Sequence, residues 1–451
     1  MEHTQQDLNN HGESMSTSAE QSPTPAIPAI GADYLVQLGD RIGQMVMRAK
    51  DFSHPSKLNP EQGESRRLSL REIADSIGVS HSTVNRVAAA MAASEGADGD
   101  GSGKPAGRTG YRYTLAEAVA LRNAVTELPE IRKKGKLSRR RGPGEPCVTL
   151  GIMNFKGGVA KSTTTAHTGA YLSLHGYRVL VIDMDPQATL STLLGIHPDI
   201  ELDVDDTLLP YFEGKEASLS YCIRKTEIPT LDVIPSNVGL AAADLVLPSR
   251  QRDKRQAGDL SWFYMKVLEE GIATIEADYD VILIDCPPSM SYLTTVATQA
   301  CDALLVPMRP SMPDFASSAQ FIRMFGGFQQ EVDEVVGRPK EYDWVQVLVT
   351  LGENNNASAE MEAIIRKAYG DLVLAEKFPY LTAVARAAKV MRTIYDVARA
   401  DADSRQLSKA MNIVNQLCQS IEARILLTRA RLSAQDSAAG AGAGAGVVEA
   451  A

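Results

Sequence analysis

The chain has 451 residues, 44% of them hydrophobic and 23% charged, the balance of a soluble globular protein of about two or three domains. Length and composition exclude a small disulfide-stapled fold, a fibre and a wholly disordered chain. A net charge of −10 means that any nucleic-acid surface must be a local basic patch, because the molecule as a whole repels phosphate. The charge is uneven. Residues 1–141 hold 19 Lys/Arg against 17 Asp/Glu, so the acidity belongs to the remainder, and the two parts are expected to do different jobs. No apolar run approaches the ~18 residues of a membrane span, and the polar N-terminus lacks the apolar stretch of a signal peptide. The five cysteines are scattered, without CxxC or zinc spacing, and read as reduced thiols in a cytosol.

Residues 1–30, rich in Ser, Gln, Pro and Asn, are expected to be disordered. From Tyr34 to Phe52, Leu35, Leu38, Ile42, Met45 and Val46 recur at three- and four-residue steps, which predicts a helix with one buried face. Leu70–Val87 then fits a helix-turn-helix template. Ala74 is small where two helices cross, Gly78 stands at the turn, and Val79 plugs it. Ile73, Ile77, Val84 and Val87 form the inner face, and Ser80 is placed to cap the second helix. His81, Ser82, Asn85 and Arg86 are left outward near that helix's N-terminal half, where a recognition helix meets base edges. Asn and Arg suit adenine and guanine edges.

Ser94–Gly110 reads as a loop and Arg108–Thr114 as the returning strand of a wing. A helix follows, with Thr114 as N-cap and Glu117 at the capping-box position, and Pro129 ends it. This gives a DNA-binding unit over 31–130. A basic linker over 131–146 comes next, with Arg132, Lys133, Lys134, Lys136, Arg139, Arg140 and Arg141 and no acid before Gly142. The linker is either a solvated connection or a phosphate-contacting arm.

After the linker the pattern alternates between strand and helix. Strands are predicted at Val148–Met153, Arg178–Asp183, Leu231–Pro235, Val281–Asp285, Ala303–Pro307 and Val345–Thr350. The fold class is therefore α/β, a mostly parallel sheet with helices on both faces, over 147–432. Asp403–Leu432 reads as a long terminal helix, and the Ala/Gly tail from Ser437 (433–451 as a segment) as disordered.

The first strand runs into Asn154-Phe-Lys-Gly-Gly-Val-Ala-Lys-Ser-Thr-Thr-Thr165 and then a helix. This is what a bound triphosphate needs. Gly157 and Gly158 let backbone N–H groups turn inward around phosphates. Lys161 brings a point charge, the Ser162 hydroxyl is a Mg²⁺ ligand, and the helix adds its positive end. The generic GxxxxGK[ST] expression fails, because Phe155 and Ala160 stand where it asks for glycine. Two further strand ends carry acids: Asp183 and Asp185 in Val179–Gln187, and Asp285 in Val281–Ser289. A phosphate loop, Mg²⁺ ligands and a water-positioning acid together predict nucleoside triphosphate hydrolysis.

KGGxxK[ST] with its leading lysine resembles the deviant Walker A motif of the ParA/MinD ATPases. The resemblance implies that residues 156–163 (Lys156, Gly157, Gly158, Val159, Ala160, Lys161, Ser162, Thr163) hold ATP. It implies that Lys156 reaches a partner subunit's nucleotide across a dimer, that Asp185 of the DxDPQ segment orients the attacking water, and that Asp285 holds Mg²⁺ with Ser162. With its helix-turn-helix, the chain resembles the larger class of plasmid partition ATPases. That implies a cytoplasmic, nucleoid-associated homodimer that binds DNA without sequence preference in the ATP state. A ParB-like centromere-binding partner would stimulate hydrolysis and release, and the N-terminal unit would bind an operator as an autorepressor.

For generic DNA, Arg386, Lys389 and Arg392 are the expected patch, spaced at three residues with no acid between Glu376 and Asp396. The basic linker competes for that role. A different class of function is a transcriptional regulator that only senses nucleotide, against which Lys156, Lys161 and Asp185 argue. A membrane-bound relative of the MinD kind is expected to end in a basic amphipathic helix. This sequence ends in Gly/Ala repeats, so no membrane partner is expected. An iron–sulfur relative would need cluster cysteines at an interface, to which Cys286 and Cys301 are poorly suited.

Overall fold

The computed structural model describes residues 66–95, 111–132, 140–142, 144–337, 339–397 and 404–445. All of these fall in one compact unit, Asn59–Ala451. The expected N-terminal tail, the helix over Tyr34–Phe52, most of the loop over Ser94–Gly110 and most of the basic linker lie outside them.

Eight strands form one sheet: β1 Val148–Ile152, β2 Val179–Asp183, β3 Arg224–Lys225, β4 Leu231–Ile234, β5 Val281–Asp285, β6 Ala303–Met308, β7 Val345–Thr350 and β8 Val373–Phe378. Their order is β3-β4-β2-β5-β1-β6-β7-β8. Every pairing is parallel except β3 with β4. The six predicted strands are all present, within a residue or so of their expected bounds. β3 and β8 are additions. They are edge strands, and β8 (Val-Leu-Ala-Glu-Lys-Phe) carries charge on its outer half, so neither shows the apolar run of a strand buried on both faces.

Central strand residues are buried on both sides. Val148, Leu150, Ile152, Val179, Val181 and Leu283 face one apolar cluster. Leu180, Ile182, Ile282 and Ile284 face another. This alternation makes a three-layer structure. β1 lies between β5 and β6, while the chain leaving it crosses to β2 on one side. The carboxyl end of β1 is thus a topological switch point, where open α/β sheets bind ligands.

The helices used below are α1 Leu70–Ile77, α2 His81–Glu95, α3 Leu115–Thr126, α4 Lys161–Leu174, α5 Met312–Val336, α6 Thr382–Lys389 and α7 Ser404–Ala445. α7 continues into the tail that was expected to lack structure from Ser437.

Two helices joined by a tight turn, α1 and α2, stand where the helix-turn-helix is expected. Ser69 caps α1 through a reciprocal box with Glu72. Gly78 takes φ +72°, a left-handed conformation that ends α1. Ser80 Oγ accepts from Thr83 N at 3.2 Å at the start of α2. Ile73, Ala74, Ile77, Val84 and Val87 are buried with α3 residues in their own core. Thr114 and Glu117 cap α3 as the spacing predicts. The expected wing strand is represented by a single antiparallel bridge, Leu68 to Tyr113. Its partner precedes α1, so it closes the three-helix core.

This unit is stitched to the sheet domain. The Arg66 amide donates to Asp396 O at 3.2 Å. The buried Arg122 donates to Leu174 O at 2.7 Å, at the carboxyl end of α4, a favourable place for a cation. Arg141, the last residue of the basic run, uses its donors on Asp280, Glu145 and Glu276, so this part of the run is structural.

Candidate nucleotide site and basic surfaces

The loop between β1 and α4 is held from both flanks. Asn154 Nδ2 donates to Pro307 O at 2.7 Å, and its Oδ1 accepts from the Lys156 amide at 2.9 Å. Thr350 Oγ1 donates to Val159 O at 3.0 Å. Neither Asn154 nor Thr350 was singled out by sequence reasoning. Asn154 enters the loop directly from β1, whereas only the strand order brings Thr350, at the end of β7, to it. Gly158 takes φ +69°, as a glycine readily can. Ala160 is also left-handed, at φ +67°. The sequence therefore keeps the backbone shape without the glycine that makes it easy, at a cost of roughly 1–2 kcal/mol.

Lys161 opens α4 and is 6% exposed. Its Nζ donates to the Lys156 carbonyl at 3.3 Å, folding the ammonium back over the loop. Burial pushes its pKa down, against the pull of Asp285 and Asp185. Lys156 itself is exposed, and its backbone N–H and carbonyl belong to the loop.

Three carboxylates converge from adjacent strand ends. Asp183 and Asp285 stand opposite each other in register on β2 and β5, and both are fully buried. Asp183 accepts from Ser191 N, Ser191 Oγ and Asp185 N. Burial nevertheless raises its pKa to about 7. Its role in the structure is to hold the turn that carries Asp185. Asp185 is 9% exposed and accepts from Gln187 N at 3.0 Å. The two acids of the DxD segment thus have different environments, which a shared-face reading of the sequence does not separate.

Asp285 is driven well above the usual carboxylate range by burial and then by Asp183, with the Ser162 hydroxyl and Lys161 drawing it back. Neither of its oxygens meets the distance and angle of a hydrogen bond with any of the described residues. A buried carboxylate with both oxygens unsatisfied, beside a hydroxyl and the positive end of a helix, fits a hard divalent cation that takes its other ligands from phosphate and water.

The remaining expected residues lie elsewhere. On α2, His81, Ser82 and Arg86 are exposed and Asn85 is half-buried. Arg86 pairs with Glu130 at 2.6 Å, with both side chains largely solvated. Such a pair contributes about 0–1 kcal/mol and is easily exchanged. Arg386 and Lys389 are exposed on α6. Arg392 departs from the expectation of one helical face. α6 ends at Lys389, Met391 turns left-handed at φ +54°, and Arg392 pairs with the buried Asp396 at 3.3 Å. No helix among the described residues is long and apolar enough to cross a membrane.

The sequence pattern of a family described as an AAA domain matches residues 148–336. Protein SopA of Escherichia coli (strain K12) is 30% identical over 382 residues, covering 83% of this chain and 93% of SopA. The chromosome partitioning protein ParA of Caulobacter vibrioides is 33% identical over 232 residues, 51% of this chain and 79% of that protein. Among solved structures, one titled "Partition Protein" superimposes with a TM-score of 0.54 at 18% identity, covering 86% of this chain and 98% of its own. That likeness shows the fold.

Proposed function

Because the chain belongs to the ParA-type partition ATPases, we propose that it is an ATP-driven DNA segregation protein that also binds its own operator. One observation carries the nucleotide half of this reading: Lys161, Ser162, Asp185 and the unsatisfied Asp285 surround one loop at the switch point of the sheet. ATP with Mg²⁺ is the ligand this set fits. Loop amides over 156–163 and Lys161 bind the phosphates, while Ser162 and Asp285 hold the ion, which neutralises charge on the transferring phosphoryl group. Asp185, fixed by its turn and by Asp183, orients the attacking water. Lys156, on the outer side of the loop, serves a second copy of the chain, so the working form is a nucleotide-dependent homodimer.

Two experiments follow from this scheme. Lys156→Ala is expected to bind ATP yet sediment as a monomer with it, where the parent chain pairs. Normal pairing would place Lys156 on its own nucleotide or on the surface. The partner that stimulates hydrolysis is a DNA-bound, ParB-like centromere protein. Capture on the ATP-loaded protein from the native host tests this, and recovery of no centromere-binding protein would count against it.

The helix-turn-helix supports operator binding as an autorepressor. Asn85→Ala and Arg86→Ala should each lose operator affinity by about 1–3 kcal/mol, the worth of a good base contact. ATP-dependent binding to unrelated DNA should be unaffected. Footprinting beside a generic shift assay measures both, and joint loss would mean one shared surface.

Generic DNA binding is assigned to Arg386 and Lys389 on α6. Arg392 is set apart, because Asp396 already holds it. The double variant Arg386→Ala/Lys389→Ala should weaken ATP-dependent DNA binding alike at every sequence. It should also lower the salt slope by about 0.9 for each lost phosphate contact. An unchanged slope, with loss on neutralising Arg132–Arg140 instead, would move the surface to the linker.

A further inference from the structure

Arg309 follows β6 directly and is the residue through which the chain passes toward α5. The backbone before and after it is hydrogen-bonded. β6 runs to Met308 in register with β7, and Pro307 is tied to the phosphate loop by Asn154. The Arg309 carbonyl accepts from Ser311 N at 2.9 Å, and Ser311 caps α5. The side chain is exposed and makes no hydrogen bond or ion pair with any described residue. Its guanidinium lies against the loop: a Cβ placed on Gly158 would come within 3.3 Å of an Arg309 terminal nitrogen. Gly158 therefore has two reasons to be glycine, its left-handed backbone and the room it leaves for this arginine. A guanidinium offers five donors in a planar fork matched to phosphate oxygens. Here it is unpartnered, held on rigid elements and placed at the rim of a loop built for phosphate.

We propose that Arg309 is a phosphate-binding residue of the nucleotide site, contacting the terminal phosphate of a nucleoside triphosphate seated in a 156–163 loop. This rests on the nucleotide reading above. The triphosphate belongs either to the same chain or to a second copy facing it, and the two are separable by experiment. The contact gives the protein a means of preferring the triphosphate to the diphosphate beyond Lys161, whose reach is folded back over the loop.

The test is equilibrium titration of the full chain with fluorescent ATP and ADP analogues and Mg²⁺. Arg309→Ala should weaken the triphosphate by about tenfold or more, as loss of a charged hydrogen bond does, and the diphosphate much less. Arg309→Lys should recover part of the difference, because it keeps the charge and loses the fork. In a Lys156→Ala background, persistence of the selective loss assigns the contact to the chain's own nucleotide. Its disappearance there assigns it to the facing copy. Unchanged triphosphate affinity in Arg309→Ala overturns the inference. So does an equal loss for both nucleotides with a lowered melting temperature, which is the signature of a merely structural role. Lys161→Ala is the control. If it loses nucleotide while Arg309→Ala does not, only this inference fails; if it too binds normally, the nucleotide site itself is wrong.

Discussion

Lys161→Ala is expected to lose at least 100-fold in ATP affinity, and Ser162→Ala to lose the Mg²⁺-dependent part of binding. Lys161 is the cation at the mouth of α4, and its ammonium is positioned by the Lys156 carbonyl rather than by a carboxylate. Removing it takes away a point charge where a triphosphate brings several negative charges. It also leaves Asp185 and Asp285 without the cation that draws on both. Each loss acts in a partly desolvated site, where charge interactions are stronger than in water. Folding should be affected little, because the ammonium makes a single long hydrogen bond to a backbone oxygen. Titration with ATP beside a thermal melt separates binding from stability. Normal affinity in both variants would remove the phosphate-loop assignment.

Asp185→Ala is expected to retain ATP binding and pairing while hydrolysis falls by about 10² or more, the scale of losing a positioned general base or water-orienting group. The distinction follows from the surroundings of the three acids. Asp183 is consumed by Ser191 and the turn, and Asp285 is the unsatisfied acid beside Ser162. Asp185 retains some solvent contact and one backbone partner. It is therefore the carboxylate proposed to orient the water. Single-turnover hydrolysis with saturating ATP reads the chemical step alone. Loss of ATP affinity in this variant would mean that Asp185 is a metal or structural residue.

Most of the sheet was legible in the sequence because strands buried on both faces leave apolar runs, as in Val281–Ile284 and Val179–Ile182. β3 and β8 were not, because edge strands need bury only part of their surface. The loop between β1 and α4 was legible as a loop, because consecutive glycines after an apolar run interrupt a strand; what it binds is the proposal made above. Thr350 and Arg309 were hidden because their relation to that loop is created by strand order, not by spacing along the chain; Asn154 adjoins the loop, and only its bond to Pro307 depends on strand order. Arg392 shows the opposite failure. Three-residue spacing places it with Arg386 and Lys389 only if the helix continues, and Met391 ends that continuity.

The division of labour between Asp183 and Asp185 lies between these cases. Their positions were legible, but their roles depend on the register of β2 with β5 and on Ser191, which approaches from eight residues along the chain.

In the proposed scheme ATP closes two copies of this chain into a dimer whose lifetime is set by hydrolysis. Sedimentation of Asp185→Ala with ATP and Mg²⁺, with ADP, and without nucleotide tests it most directly. A stable dimer is expected with ATP and Mg²⁺, and monomers in the other two conditions. A monomer in all three, with ATP shown to be bound, would contradict it.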